Sequence, residues 1–154
     1  MVERESYLNA RGTLSTLLDL GAVPVVNEND ALSSSELSFG DNDTLGAIVA
    51  TSLSADLLIL LSDIDGLFTD DPRTAADARL IPIVPAITPE LVAHAGGKGT
   101  QNGTGGMATK LKAAQISMDA GVDMVIANGK DPVILYDIVD GKPIGTRFLG
   151  KERI

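Results

Sequence analysis

The chain has 154 residues, room for one domain, and its 44% hydrophobic content with only 3% aromatics calls for a core of Leu, Ile, Val and Ala. It has no cysteine, which excludes disulfides and thiolate chemistry and fits a cytoplasmic setting. A net charge of −9 argues against general nucleic-acid binding, no apolar run approaches the ~20 residues a bilayer requires, and Met-Val-Glu-Arg-Glu-Ser at the start lacks the basic and apolar regions of a signal peptide.

In chain order, Leu8 to Leu20 reads as an amphipathic helix ending at Gly21, with Leu14, Leu17 and Leu18 on its apolar side. Val23-Pro24-Val25-Val26-Asn27 reads as a short buried strand, its proline favouring an early or edge position. A polar, serine-rich loop follows from Glu28 to Gly40. Asp41 or Asp43 then caps a helix through Leu45, Ile48 and Val49 to about Leu53. Leu57 to Leu61 is continuously apolar and reads as a central parallel strand. A short strand is expected near Leu80 to Val84, and a helix from Thr88-Pro89-Glu90, where proline follows the cap. After a loop from Gly96 to Gly106, a long helix runs from Met107 to Ala120 and stops at Gly121. Asp123 to Ala127 is another buried strand, Pro132 to Val139 a last short helix, and a linker is expected from about Gly141.

Apolar strands alternating with helices imply a three-layer α/β/α sandwich around a mainly parallel sheet, with 1–154 as a single domain. Ligands of such sheets bind at the carboxyl ends of the strands. Polar clusters stand at those ends: Asn27-Glu28-Asn29-Asp30, Ser62-Asp63-Ile64-Asp65-Gly66 and Asn128-Gly129-Lys130-Asp131.

Each cluster has a chemical and a plain reading. Asn27 to Asp30 offers amides and carboxylates for an amino group or hydroxyl, or is a turn stabilised by its own side chains. Phe39-Gly40-Asp41-Asn42-Asp43 is a ligand-facing segment or simple helix capping. Ser62 to Thr69 cradles a nucleotide or ends a strand, and Asp70-Asp71-Pro72-Arg73 reads as a turn with a local ion pair. Asn102-Gly103-Thr104-Gly105-Gly106-Met107-Ala108-Thr109-Lys110 is the strongest signal. Glycines allow close backbone approach to an anion, the helix start supplies N–H groups, and Lys110 adds a full charge. Its plain reading is a flexible loop before a surface helix.

Other patterns fail. Gly145 to Lys151 has P-loop spacing, but Glu152 occupies the hydroxyl position. Gly103 to Ala108 imitates a dinucleotide fingerprint but follows no strand. His94 is the only histidine and reads as a surface helix residue, so no metal ligand set is expected, and Met118 and Met124 read as core.

Taken together and in this order, the segments 23–30, 39–43, 62–73 and 103–110 resemble the glutamate 5-kinase branch of the amino-acid kinase family. Tyr7-Leu8-Asn9-Ala10 with Thr13-Leu14 also looks like the helix before the substrate strand, so the likeness runs from about Tyr7 to Phe148. The resemblance implies an amino-acid (carbamate) kinase-like fold and transfer of the ATP γ-phosphate, with Mg²⁺, to the side-chain carboxylate of L-glutamate, the first step of proline biosynthesis. It implies substrate contacts from Asp30 and Asn42, with Asn27 and Asn29 beside them. It implies nucleotide contacts from Ser62, Asp63, Thr104, Gly105, Gly106, Met107, Ala108, Thr109 and Lys110. Lys110 would neutralise the migrating phosphoryl group, and Asp43 would organise active-site lysine.

The chain departs from the family at its start, where the family has an opening strand with a further lysine and glycine turn, and no C-terminal RNA-modification-type domain is expected within 1–154. The expectation is a partial kinase domain, incomplete at the N-terminus, with little or no turnover alone and a tendency to self-associate through exposed strand edges. A related kinase acting on aspartate, acetylglutamate or carbamate, and a non-catalytic amino-acid or nucleotide-binding subunit, are the alternatives.

Overall fold

The computed structural model describes residues 2–27, 41–95 and 106–152. The helices are α1 (Val2–Asp19), α2 (Asn42–Ser52), α3 (Pro89–Ala95), α4 (Met107–Asp119) and α5 (Ile134–Val139). The strands are β1 (Leu57–Ser62), β2 (Ile83–Val84), β3 (Asp123–Asn128) and β4 (Thr146–Phe148). They form one sheet in the order β1-β3-β4-β2, with β1 parallel to β3, β2 parallel to β4, and β3 antiparallel to β4.

Alternation along β1 and β3 builds the layers. Leu58, Leu60, Met124 and Ile126 point to one face and pack with Ala47 of α2 and Leu111, Ala113, Ala114 and Met118 of α4. Leu57, Ile59, Val125 and Ala127 point to the other and pack with Ile134 and Ile138 of α5 and with Ile144. Strands apolar on both faces require cover on both, which is why their sequences run continuously apolar. Met118 and Met124 lie in the core as expected.

The structure corrects several expectations. The run Leu57–Ser62 is a parallel strand, but it sits at one edge of the described sheet, not at its centre. A continuous apolar run reports burial of the two faces; it carries no information on lateral neighbours. Segment 23–27 is not a strand, and Val23 and Val25 are 86% and 95% exposed. Its valines suit a sheet, but strand formation needs a ladder partner, and none meets it among the described residues. Helix α1 begins at Val2, earlier than Leu8, because Glu3, Arg4 and Glu5 are good helix formers. Tyr7, Leu8 and Leu18 of α1 remain exposed.

The stretch after Gly141 is not a linker. It forms β4, whose Thr146 and Phe148 are fully buried. Gly145 leads into it at φ +69°, and a β-carbon there would fall 2.0 Å from the Ile126 carbonyl oxygen. The glycine of the P-loop look-alike therefore serves backbone packing against β3. The expected loop at 96–105 and the loop at 28–40 lie outside the described residues, as does the His94 side chain.

Candidate active site

Helix α2 starts at Asp41, in extended conformation, whose carboxylate accepts hydrogen bonds from Thr44 N at 2.6 Å and Thr44 Oγ1 at 3.0 Å. Of the two cap candidates, Asp41 takes the role. Asp43, in the first turn, is thereby available for another task while still favoured by the helix dipole. Helix α4 starts after Gly106, and no side chain among the described residues caps it.

The two helix starts meet. Asp43 Oδ2 accepts hydrogen bonds from Thr109 Oγ1 at 2.8 Å and from Lys110 Nζ at 3.1 Å. The Lys110 and Asp43 side chains are 11% and 21% exposed, so the ion pair is largely withdrawn from water. Placing an ammonium near the positive end of its own helix and away from water is unfavourable on both counts. Asp43 offsets both, so a positive charge is fixed where an anion would also gain from uncapped helix N–H groups.

Both helices return through short turns into the strand that follows: α2 into β1 and α4 into β3. Their N-termini therefore lie toward the carboxyl ends of those strands. Gly46 of α2 sits over Leu58 and Leu60, consistent with that direction. At these strand ends Ser62 is in register with Asn128, and the Ser62 carbonyl accepts from Gly129 N at 2.7 Å. Ser62 Oγ donates to Asp63 Oδ1 at 3.2 Å.

The polar cluster after β3 has no individual roles legible in its sequence, yet it laces the two strand ends together. Asn128 Nδ2 donates to Asp65 Oδ1 at 2.8 Å, and Lys130 N donates to Asn128 Oδ1 at 3.0 Å. The loop after β1 is also fastened from beneath. Leu67 N donates to the buried Thr146 Oγ1 at 2.8 Å, and that hydroxyl donates to the Ile81 carbonyl at 2.7 Å. Gly66 has φ +152°, and a β-carbon on it would lie 2.6 Å from Thr146 Oγ1, so the loop closes only with glycine there. The residues before Thr146 read Lys142-Pro143-Ile144-Gly145, and nothing in that stretch marks the threonine in advance.

The expected site residues divide as follows. Asp43, Thr109, Lys110 and the Gly106 backbone form one hydrogen-bonded cluster. Ser62 and Asp63 stand at the end of β1, and Asn42 is exposed in the first turn of α2 beside Asp43. The Met107 side chain packs against the main core and Ala108 is exposed. Asn27 is half-buried at the end of segment 23–27, outside that cluster. Asn29, Asp30, Thr104 and Gly105 lie outside the described residues.

A carboxylate-anchored cation at a helix start, on the carboxyl side of parallel strands, is an arrangement suited to an anionic ligand. Residues 2–128 match the model of the Amino acid kinase family, and the chain belongs to that family. It is 52% identical over 148 residues to a glutamate 5-kinase of Clostridium perfringens, covering 94% of this chain and 55% of that one. It is 53% identical over 147 residues to a glutamate 5-kinase of Deinococcus radiodurans, covering 96% of this chain and 40% of that one. The chain thus spans about half the length of these relatives. Among solved structures, UMP kinase from Bacillus anthracis superposes with a TM-score of 0.63 at 17% identity, over 96% of this chain and 52% of that one, a likeness of fold.

Proposed function

We propose that this chain forms the nucleotide-binding part, and a portion of the glutamate site, of an enzyme that phosphorylates the side-chain carboxylate of L-glutamate with ATP. The observation that carries the reading is the Asp43–Lys110 pair, 3.1 Å apart across two helix starts. Phosphoryl transfer asks a protein mainly for positioning and charge stabilisation, and a dry ammonium kept within reach of the phosphates supplies both. The 52% identity to a glutamate 5-kinase supports glutamate as the acceptor.

In this reading Lys110 and the backbone N–H groups from Thr104 to Ala108 hold the phosphates, with Ser62 and Asp63 against the nucleoside. Asn42 and Asp30, flanked by Asn27 and Asn29, hold glutamate. Mg²⁺ enters as a companion of the ATP phosphates, which with water supply most of its ligands. That role asks for no dedicated protein cage, and no group of three or more His, Cys, Asp or Glu side chains is arranged for a metal among the described residues. None of the described helices is long and apolar enough to cross a membrane.

Titration calorimetry with Mg–ATP tests the reading. The wild-type chain is expected to bind, and Lys110→Ala to weaken binding by about ten-fold or more, the scale of one lost charge contact. Equal binding by the two proteins, or none by the wild type, contradicts it. Trapping of γ-glutamyl phosphate with hydroxylamine, by a preparation that binds Mg–ATP, tests the acceptor.

A further inference from the structure

Thr109 and Lys110 are adjacent in sequence, yet both reach the same oxygen, Oδ2 of Asp43. The Thr109 hydroxyl also lies 2.8 Å from the Gly106 carbonyl oxygen. A threonine hydroxyl has one proton, and both neighbours are acceptors, so it donates to one at a time. We propose that Thr109 is a positioning residue whose hydroxyl takes the place of Lys110 on Asp43 when Lys110 moves to a phosphate. The inference rests on the phosphate-site reading above and deepens it.

Compensation is what the hydroxyl provides. With Lys110 on Asp43, the carboxylate is satisfied and the Thr109 proton is free for the Gly106 carbonyl, which also accepts from Thr109 N at 3.2 Å. If Lys110 swings toward an anion, Asp43 loses its ammonium while only 21% exposed. A carboxylate left unpaired in that setting is unfavourable, and this would hold Lys110 back. A hydroxyl already 2.8 Å away supplies the replacement donor without a change of rotamer. The Gly106 carbonyl keeps its bond from Thr109 N at 3.2 Å, so the first turn of α4 survives the transfer. Thr109 need not touch the nucleotide with its side chain to act in this way.

The test compares the affinities of the full chain for Mg–ATP and Mg–ADP in the wild type, Thr109→Val, Thr109→Ser and Asp43→Asn. Valine keeps the shape and removes the proton, so the preference for ATP over ADP is expected to fall by about ten-fold, the scale of one charge-assisted contact. Serine is expected to restore it. In an Asp43→Asn background, where no carboxylate restrains Lys110, Thr109→Val is expected to have no further effect on that ratio. An unchanged ratio in Thr109→Val, equal losses for both nucleotides, or a further fall in the Asp43→Asn background overturns the inference and leaves the phosphate site standing. A wild type that binds neither nucleotide overturns the phosphate-site reading, and the inference with it. Circular dichroism verifies folding, and Thr109→Ala carries the same comparison where valine does not fold.

Discussion

Asp43 and Lys110 form an ion pair of 3.1 Å between the first turns of α2 and α4, with both side chains largely buried. The pair therefore joins two helices as well as presenting a charge. Lys110→Met keeps much of the apolar stem and removes the ammonium, leaving Asp43 with Thr109 alone among the described residues. The expected loss is about 1–3 kcal/mol, the cost of an incompletely satisfied buried polar group. Urea unfolding measures it, and a change below about 0.3 kcal/mol would mean that the pair is only a surface contact.

Gly145→Ala should be among the most damaging single-methyl substitutions in the chain. The new carbon would meet the Ile126 carbonyl oxygen at 2.0 Å, and φ is +69°. Backbone cannot yield as a flexible side chain does, so a loss of about 4 kcal/mol or more is expected, by the strain mechanisms that give the largest effects. Thermal melting checks this, with Gly141→Ala as a control that shares a positive φ, +80°, but meets nothing within 4 Å.

Ser117 is fully buried in α4, and its hydroxyl has no hydrogen-bond partner among the described residues. Ser117→Ala removes that unsatisfied group and raises helix propensity. Stability should rise by about 0.5–1.5 kcal/mol. A clear loss in chemical denaturation would show that the hydroxyl has a partner in solution.

The acid limb of stability should depend on Lys151. The side-chain hydrogen bond from Lys151, followed by that from Gln115, holds Asp119 below its ordinary pKa of 3.8. A carboxylate depressed in the folded state adds stability above its unfolded pKa and loses it as pH falls through the folded value. Wild type is therefore expected to lose more stability than Lys151→Ala as the pH is taken below 3.8. Melting curves across that range measure the difference; parallel curves would contradict it. Asp71 behaves in the same sense, lowered first by the Arg73 backbone N–H and then by its side chain.

Much of the architecture was legible because local signals agreed with tertiary ones. The cap at Asp41, the continuous apolar runs of β1 and β3, and the stop at Gly121 all mark elements that form. The Asp71–Arg73 turn forms as read, with Arg73 Nε 3.2 Å from Asp71 Oδ1. What failed depended on neighbours. Segment 23–27 has strand composition and no described partner, while β4 has only three residues and is specified by its fit against β3. In the site, Lys110 and Asp43 were marked by motif. The role of Thr109 between Asp43 and Gly106 depends on two helices meeting, which spacing alone does not encode.

If the reading is right, the two helix starts and the end of β1 line one anion-binding pocket next to the glutamate residues. Amide chemical-shift mapping of the ¹⁵N-labelled chain tests this without intermediaries. Mg–ATP is expected to shift Gly106, Thr109, Lys110 and Asp43 together with Ser62 and Asp63, and L-glutamate to shift Asn42 and its neighbours beside them. Shifts from the two ligands on opposite sides of the sheet, or none at the two helix starts, would contradict it.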